Sequence, residues 1–315
     1  YGMQLVDLGT DALITQENGS RVEFALSGGA YAAPPRMLAG LVHNADGTWT
    51  FTRRKREIFS FDAAGRLASI RDLNGYETKL TYPSSTSMVA TDPAGRALTF
   101  TLSGGRITSV VDPASRTLSY TYDASGNLTD VIDVGGGHTT FTYDASHRML
   151  TMRDPKYFGD TTTTPTPVTT NRYDADGRVD WQADPLGQAT TFDYTTIPGS
   201  TIVTDPKGNV VRYDYSWGLL LAKTEGYNTP AAATWTYSYD RDTIGVISTS
   251  DPLGHQALAT YDADGNVTSK TDAVGNTSTF TYNALGEVTS TTDPAGVTTT
   301  NTYDAAGNLM STSTP

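Results

Sequence analysis

The sequence predicts an all-β protein built from tandem antiparallel hairpins. Three observations carry this: an aromatic-anchored pattern recurs about every 21 residues, each period holds two turn signatures, and no window sustains a helical period. The anchors are Phe61, Tyr82, Leu102, Tyr122, Tyr143, Tyr173, Tyr194, Tyr215, Tyr239, Tyr261, Tyr282 and Tyr303. Eleven steps separate them, nearly all of 20 to 24 residues, with a single step of 30 between Tyr143 and Tyr173.

The first turn signature reads YDxxG, as at Tyr122–Gly126, Tyr173–Gly177, Tyr261–Gly265 and Tyr303–Gly307, followed by Arg or Asn and then Leu or Val. The second reads DPxG and begins at Asp92, Asp184, Asp205, Asp251 and Asp293, with looser versions at Asp72, Asp112, Asp133, Asp154 and Asp272. Asp folds its carboxylate onto backbone N–H groups two residues on, Pro presets φ, and Gly takes the positive φ that other residues resist. Two turns per period leave two segments of roughly six residues, the usual strand length, so each period is a hairpin.

The segments support strands on their own. Before each anchor an apolar residue pairs with it two places on, as in Phe59/Phe61, Tyr120/Tyr122, Phe141/Tyr143, Phe192/Tyr194 and Phe280/Tyr282, which puts both on one face of the sheet. The opposite face, rich in Thr, Ser, Asn and Asp, reads as wet. Residues 1–58 lack the repeat and read as a β-rich lead-in or cap, with strand-like Arg21–Leu26, a turn at Asn44–Gly47, and strands Thr48–Thr52 and Glu57–Phe61 around a basic tip. Residues 59–315 form the array of about twelve hairpins.

Composition agrees with a thin core. Hydrophobic residues make up 37% of the 315, below the roughly 45% of ordinary globular chains, while aromatics at 10% argue against disorder. The formal charge of -12 argues against nucleic-acid partners, and no apolar stretch approaches the ~18 residues of a membrane-inserting helix. The absence of Cys excludes disulfides, thiolate metal sites and a Cys nucleophile. The start at Tyr1 and the stop after Met310 read as marks of a piece of something longer. Twelve hairpins at ~4.8 Å per strand would make a strip on the order of 115 Å long, which must coil, since open twisted sheets rarely exceed about ten strands.

The in-register YDxxGR/N-L/V and DPxG elements from Phe61 to Asn308 resemble the YD-repeat (Rhs) family, and Arg56–Arg66, REIFSFDAAGR, is similar to the segment that precedes the repeats in bacterial members. The resemblance implies a β-strip spiralling into a hollow shell, as in bacterial Rhs toxins, the Tc-toxin cocoon and teneurins. It also implies a structural, non-enzymatic role: enclosing a C-terminal toxin polypeptide, with further repeats of the full-length chain as partners and a secreted or cell-surface bacterial location. The self-cleavage signatures of the family are absent, so the chain is expected to be early or middle wall. The alternatives are an extracellular adhesion or glycan-binding module and a fibre formed by self-association.

Several units depart from the pattern: His147 and Ser115 stand at turn-glycine positions, Leu102 replaces the aromatic, and Glu225–Asn228 replaces DPxG. The long step holds an insert near 156–167, expected to project as a protease-sensitive loop.

Candidate chemistry is sparse. Asp174/Asp176 and Asp262/Asp264 invite a calcium reading, but the further oxygens of a calcium loop do not follow, and turn capping is the plainer role. His43, His138, His147 and His255 lack metal-ligand spacing, and Gly135–Gly137 opens no helix that would make it a phosphate loop. Catalytic, cofactor and metal residues are therefore expected to be none. Arg53–Arg56 reads as a hairpin tip or a basic processing site, and Asn18, Asn127, Asn266 and Asn276 sit in glycosylation sequons, three of them at turns. The aromatic ladder serves packing or, if exposed, stacking on sugar rings.

Overall fold

The computed structural model describes residues 2–34, 37–159 and 167–315. Among them lie 30 β-strands, all antiparallel and assigned to one sheet, and a single 3-10 turn at Pro155–Tyr157. From Glu57–Phe61 to Leu309–Ser313 there are 24 strands, most of five or six residues. The expected all-β strip of tandem hairpins is thus the architecture observed. Each strand pairs with its neighbour in sequence, which is what short turns between period-two segments enforce.

The turns follow the expected chemistry and add to it. Asp304 is representative: Oδ1 accepts from the backbone N–H of Ala306 and Asn308, and Oδ2 accepts from the Asn308 amide. The Gly307 N–H bonds back to the Asp304 carbonyl, with Gly307 at φ 83°. The carboxylate reaches four residues on as well as two. Ser115 and His147 adopt the same left-handed backbone, φ 61° and 62°, without glycine's freedom.

The chain divides into two units. One comprises residues 1–98, 239–247 and 257–315 and holds most of the apolar core. Phe24, Phe51, Phe61, Ile14 and Leu67 are fully buried, with Phe24 edge-on to Phe51 at 5.9 Å and Phe51 tilted against Phe59 at 5.6 Å. The lead-in is more strand-rich than its sequence suggests: Gln4–Asp7, Asp11–Thr15, Ala30–Ala32 and Ala39–His43 join the strands expected there. Strand Gln4–Asp7 lies against the turn at Asp62–Arg66, its Leu5 N–H bonding the Gly65 carbonyl at 2.9 Å. A Cβ on Gly65 would fall 1.9 Å from the Leu5 oxygen, so only glycine allows this approach.

The other unit comprises residues 99–238 and 248–256. Its buried apolar side chains among the described residues are Phe100, Pro167 and Ala183, so hydrogen bonding between neighbouring hairpins matters more here. Buried Asn171 replaces an aromatic two places before anchor Tyr173; it donates to the Met149 carbonyl and accepts from Gln182. At the long step, Asp154 leads into the 3-10 turn and Phe158 stacks on His138 at 4.0 Å. Most of the insert expected near 156–167 lies outside the described residues.

Candidate functional site

One feature of the recurring unit was not legible in the sequence. At nearly every described anchor the strand register slips by one residue, as between Ser60 and Phe61, Thr121 and Tyr122, Thr281 and Tyr282, and Thr302 and Tyr303. A bulge interrupts the ladder and leaves a backbone acceptor over. The hydroxyl of the next anchor takes it. Tyr82 donates to the carbonyl of Leu67, Tyr122 to Ile107, Tyr194 to Val179, Tyr261 to Val246, Tyr282 to Val267 and Tyr303 to Val288, all at 2.7–2.9 Å and all 15 residues back. Tyr173 makes the same bond to Met149 across the insert, 24 residues back. The preference for Tyr over Phe at the anchor is the visible trace of this bond.

Arginine after the turn glycine adds a second link. The Arg178 guanidinium grips Asp174 through Nε and Nη2 at 2.8 Å and lies 4.5 Å over the ring of Tyr194. Arg66 over Tyr82 and Arg148 over Tyr173 repeat the arrangement, at 4.6 and 4.8 Å. Where Asn stands instead, as at Asn127 and Asn266, it keeps the bond to the Asp and leaves the ring uncovered by a cation.

These contacts set the titration of the turns. The Asn127 side chain and backbone hold the Asp123 carboxyl below its ordinary value, Arg116 does the same for Asp112, and the backbone N–H of Gly137 and Gly135 for Asp133. Burial pushes Tyr82, Tyr194 and Tyr282 up.

Between Val267 and Ser313 one sheet face carries an uncharged hydroxyl lattice. Register places Ser269, Thr279, Thr292 and Thr298 in one series and Thr281, Ser290, Thr300 and Ser313 beside it. Many of these hydroxyls bond one another across strands: Thr271 with Thr277 and Thr292 with Thr298 at 2.8 Å, Thr281 with Ser290 and Thr302 with Ser311 at 2.7 Å.

The residues that invited other chemistry have partners of the turn kind. Asp174 is occupied by the Asp176 and Arg178 N–H groups and the Arg178 side chain; Asp176 pairs with Arg178 and Asp264 with Lys55. Among the described residues no group of three or more His, Asp or Glu is placed to hold a metal, and no helix is long and apolar enough to cross a membrane. His138 bonds Asp130, His147 bonds Asn127 and His255 bonds Asp251, each within its own neighbourhood. Arg53–Arg56 is a hairpin tip between Trp49–Arg53 and Glu57–Phe61.

Four overlapping stretches, residues 103–138, 122–157, 261–298 and 282–315, match the family described as RHS Repeat. No curated protein matches the chain. Among solved structures it is similar to TcdB2-TccC3, with a TM-score of 0.58 at 15% identity over 99% of this chain and 22% of that one. The same pair without its hypervariable C-terminal region gives 0.58 at 14% identity over 99% and 21%. TcdB2-TccC3-Cdc42 gives 0.57 at 14% over 96% and 20%. The chain therefore spans about a fifth of the length of the structures it matches, and at these identities the likeness is one of fold.

Proposed function

We propose that this chain, a YD-repeat (Rhs) protein, is a wall segment of a shell that encloses a polypeptide cargo of the toxin kind. The observation that carries the reading is the long series of similar hairpins, seven of them tied to the one before by an anchor tyrosine hydroxyl, in a fold shared over nearly its whole length with TcdB2-TccC3. One of those structures is described as lacking a hypervariable C-terminal region, which fits a constant wall joined to a variable passenger. The role is mechanical and the repeats carry no catalysis. The hydroxyl lattice suits a lining: its groups are spent on one another and it has neither charge nor large apolar side chains with which to hold a passing chain. The protein acts outside the cell or at its surface.

A glycan-binding role is the weaker reading, because most anchor tyrosines use their hydroxyls to hold backbone carbonyls and are part-buried.

Protease digestion of the whole encoded polypeptide tests the proposal. A segment outside the repeats should resist digestion until the repeats are unfolded, and be cut at once afterwards. Equal cutting before and after unfolding would overturn it.

A further inference from the structure

We propose that the basic tip Arg53–Arg56 is a docking key that recognises one particular turn, Asn283–Glu287, some ten repeats further along, and so fixes which hairpins meet edge to edge. Both partners belong to the same unit of the chain. Lys55 Nζ lies 3.2 Å from Asp264 Oδ2 and donates to the Ala284 carbonyl at 3.1 Å, while Arg56 Nε and Nη2 both donate to the Leu285 carbonyl at 3.2 Å. Arg56 Nη2 also stands 3.1 Å from Glu287 Oε1, whose side chain is 5% exposed; that oxygen is buried and has no hydrogen bond in line. A third contact, Asn308 Nδ2 to Asn74 Oδ1 at 2.6 Å, continues the seam one turn further on both sides.

Two exceptions to the repeat chemistry meet at this seam. At Asp62, Asp123, Asp144, Asp174, Asp262 and Asp304 the turn opens with Asp and the fourth residue on is Arg or Asn. At 283–287 the polarity is reversed: Asn283 opens the turn and Glu287 closes it, with Asn283 Nδ2 donating to Glu287 Oε2 at 2.6 Å. The internal link survives and the turn presents a carboxylate where its relatives present a cation or an amide.

The tip is exceptional in the same sense. Its two central residues, Arg54 and Lys55, have φ of 50° and 60°, the pair of left-handed conformations that two-residue hairpins ordinarily give to Asn-Gly or Gly-Gly. Side chains long enough to reach the facing turn occupy positions where the backbone favours none. A strained cationic tip opposite an inverted anionic turn is complementarity built into two places about 230 residues apart. An ion pair with one buried partner discriminates against a wrong neighbour, since a standard Asp–Arg turn in that place would set Arg against Arg56.

The test restores the ordinary turn with Asn283→Asp and Glu287→Arg together, and separately neutralises the tip with Lys55→Gln and Arg56→Gln. Hydrogen exchange at residues 284–287 in both variants, and trypsin cleavage at Arg53–Arg54 in the chain and in the turn variant, are the readouts. Both rates are expected to rise about tenfold, as for loss of a contact with one buried charge, and adding Arg56→Glu to the turn variant should recover exchange protection. If the turn variant fails to fold, exchange at 284–287 in the tip variant decides. Unchanged exchange there, or in both variants when both fold, would overturn the proposal. The seam holds or fails independently of whether the wall encloses cargo.

Discussion

Tyr303 donates its phenolic hydrogen to the carbonyl of Val288 at 2.9 Å, and Val288 is the residue paired with Tyr282 at the bulge of the preceding hairpin. The anchor of one repeat therefore closes the defect in the one before. Replacing Tyr303 or Tyr194 by Phe keeps the ring and leaves that carbonyl without its donor. A loss of about 1 kcal/mol per site is expected, the net worth of one such bond, read as a shift in denaturant midpoint at unchanged slope.

Glycine at the turns serves two different needs that substitution separates. Gly296 has φ 85° with nothing near its Cβ position, so Gly296→Ala should cost only the left-handed backbone, about 1–2 kcal/mol. Gly65→Ala carries the same term plus a collision with the Leu5 carbonyl, and should displace strand Gln4–Asp7. Exchange of the Leu5 amide is the readout: fast in the second variant, unaltered in the first.

Ser115 offers the converse change. It holds φ 61° in a turn whose counterparts use glycine, so Ser115→Gly should stabilise the protein by up to about 1 kcal/mol. Thermal melting of the two forms compares them directly.

At Arg178 the array contains its own control. Arg178→Asn should be tolerated with only a small loss, because water screens the ion pair it removes and Asn fills the same place at Asn127, Asn266 and Asn308 with its bond to the Asp intact. Arg178→Ala, which also loses that bond, should melt lower than Arg178→Asn.

Stability should fall at both ends of the pH scale for different reasons. Asp112, Asp123, Asp133 and Asp304 have folded pKa values below their unfolded ones, so their contribution is present above about pH 4 and is lost as pH falls through the folded values. Tyr82, Tyr194 and Tyr282 have raised values, so their contribution holds below about pH 10 and is lost as pH rises beyond it. Melting temperature measured against pH should fall at each of these ends. Tyr282→Phe should lower the plateau and soften the alkaline arm.

The turns and strands were legible because their chemistry is local: Asp, Pro and Gly act within four residues, and alternation declares a face. Ser115 and His147 show the limit of that reading, since the turn persists where the sequence breaks its own rule. The bulge at most anchors was not legible, because the YDxxG spacing is the same with or without it. Its only trace is that Tyr outnumbers Phe at the anchors. The strands at Gln4–Asp7 and Asp11–Thr15 were not legible because they are short and unrepeated, and the first also rests on a distant partner, Gly65. The tip's partner could not be read at all, although the inverted Asn283–Glu287 turn stood in plain sequence as the one unit of opposite polarity.

The reach of these tyrosines back to the preceding hairpin gives the array an arrow of time. As the chain leaves the ribosome, Val267 waits with an open carbonyl until Tyr282 has emerged 15 residues later, and Val288 in turn waits for Tyr303. A hairpin so bonded is sealed by its successor, so along this stretch the order of synthesis is also the order of closure.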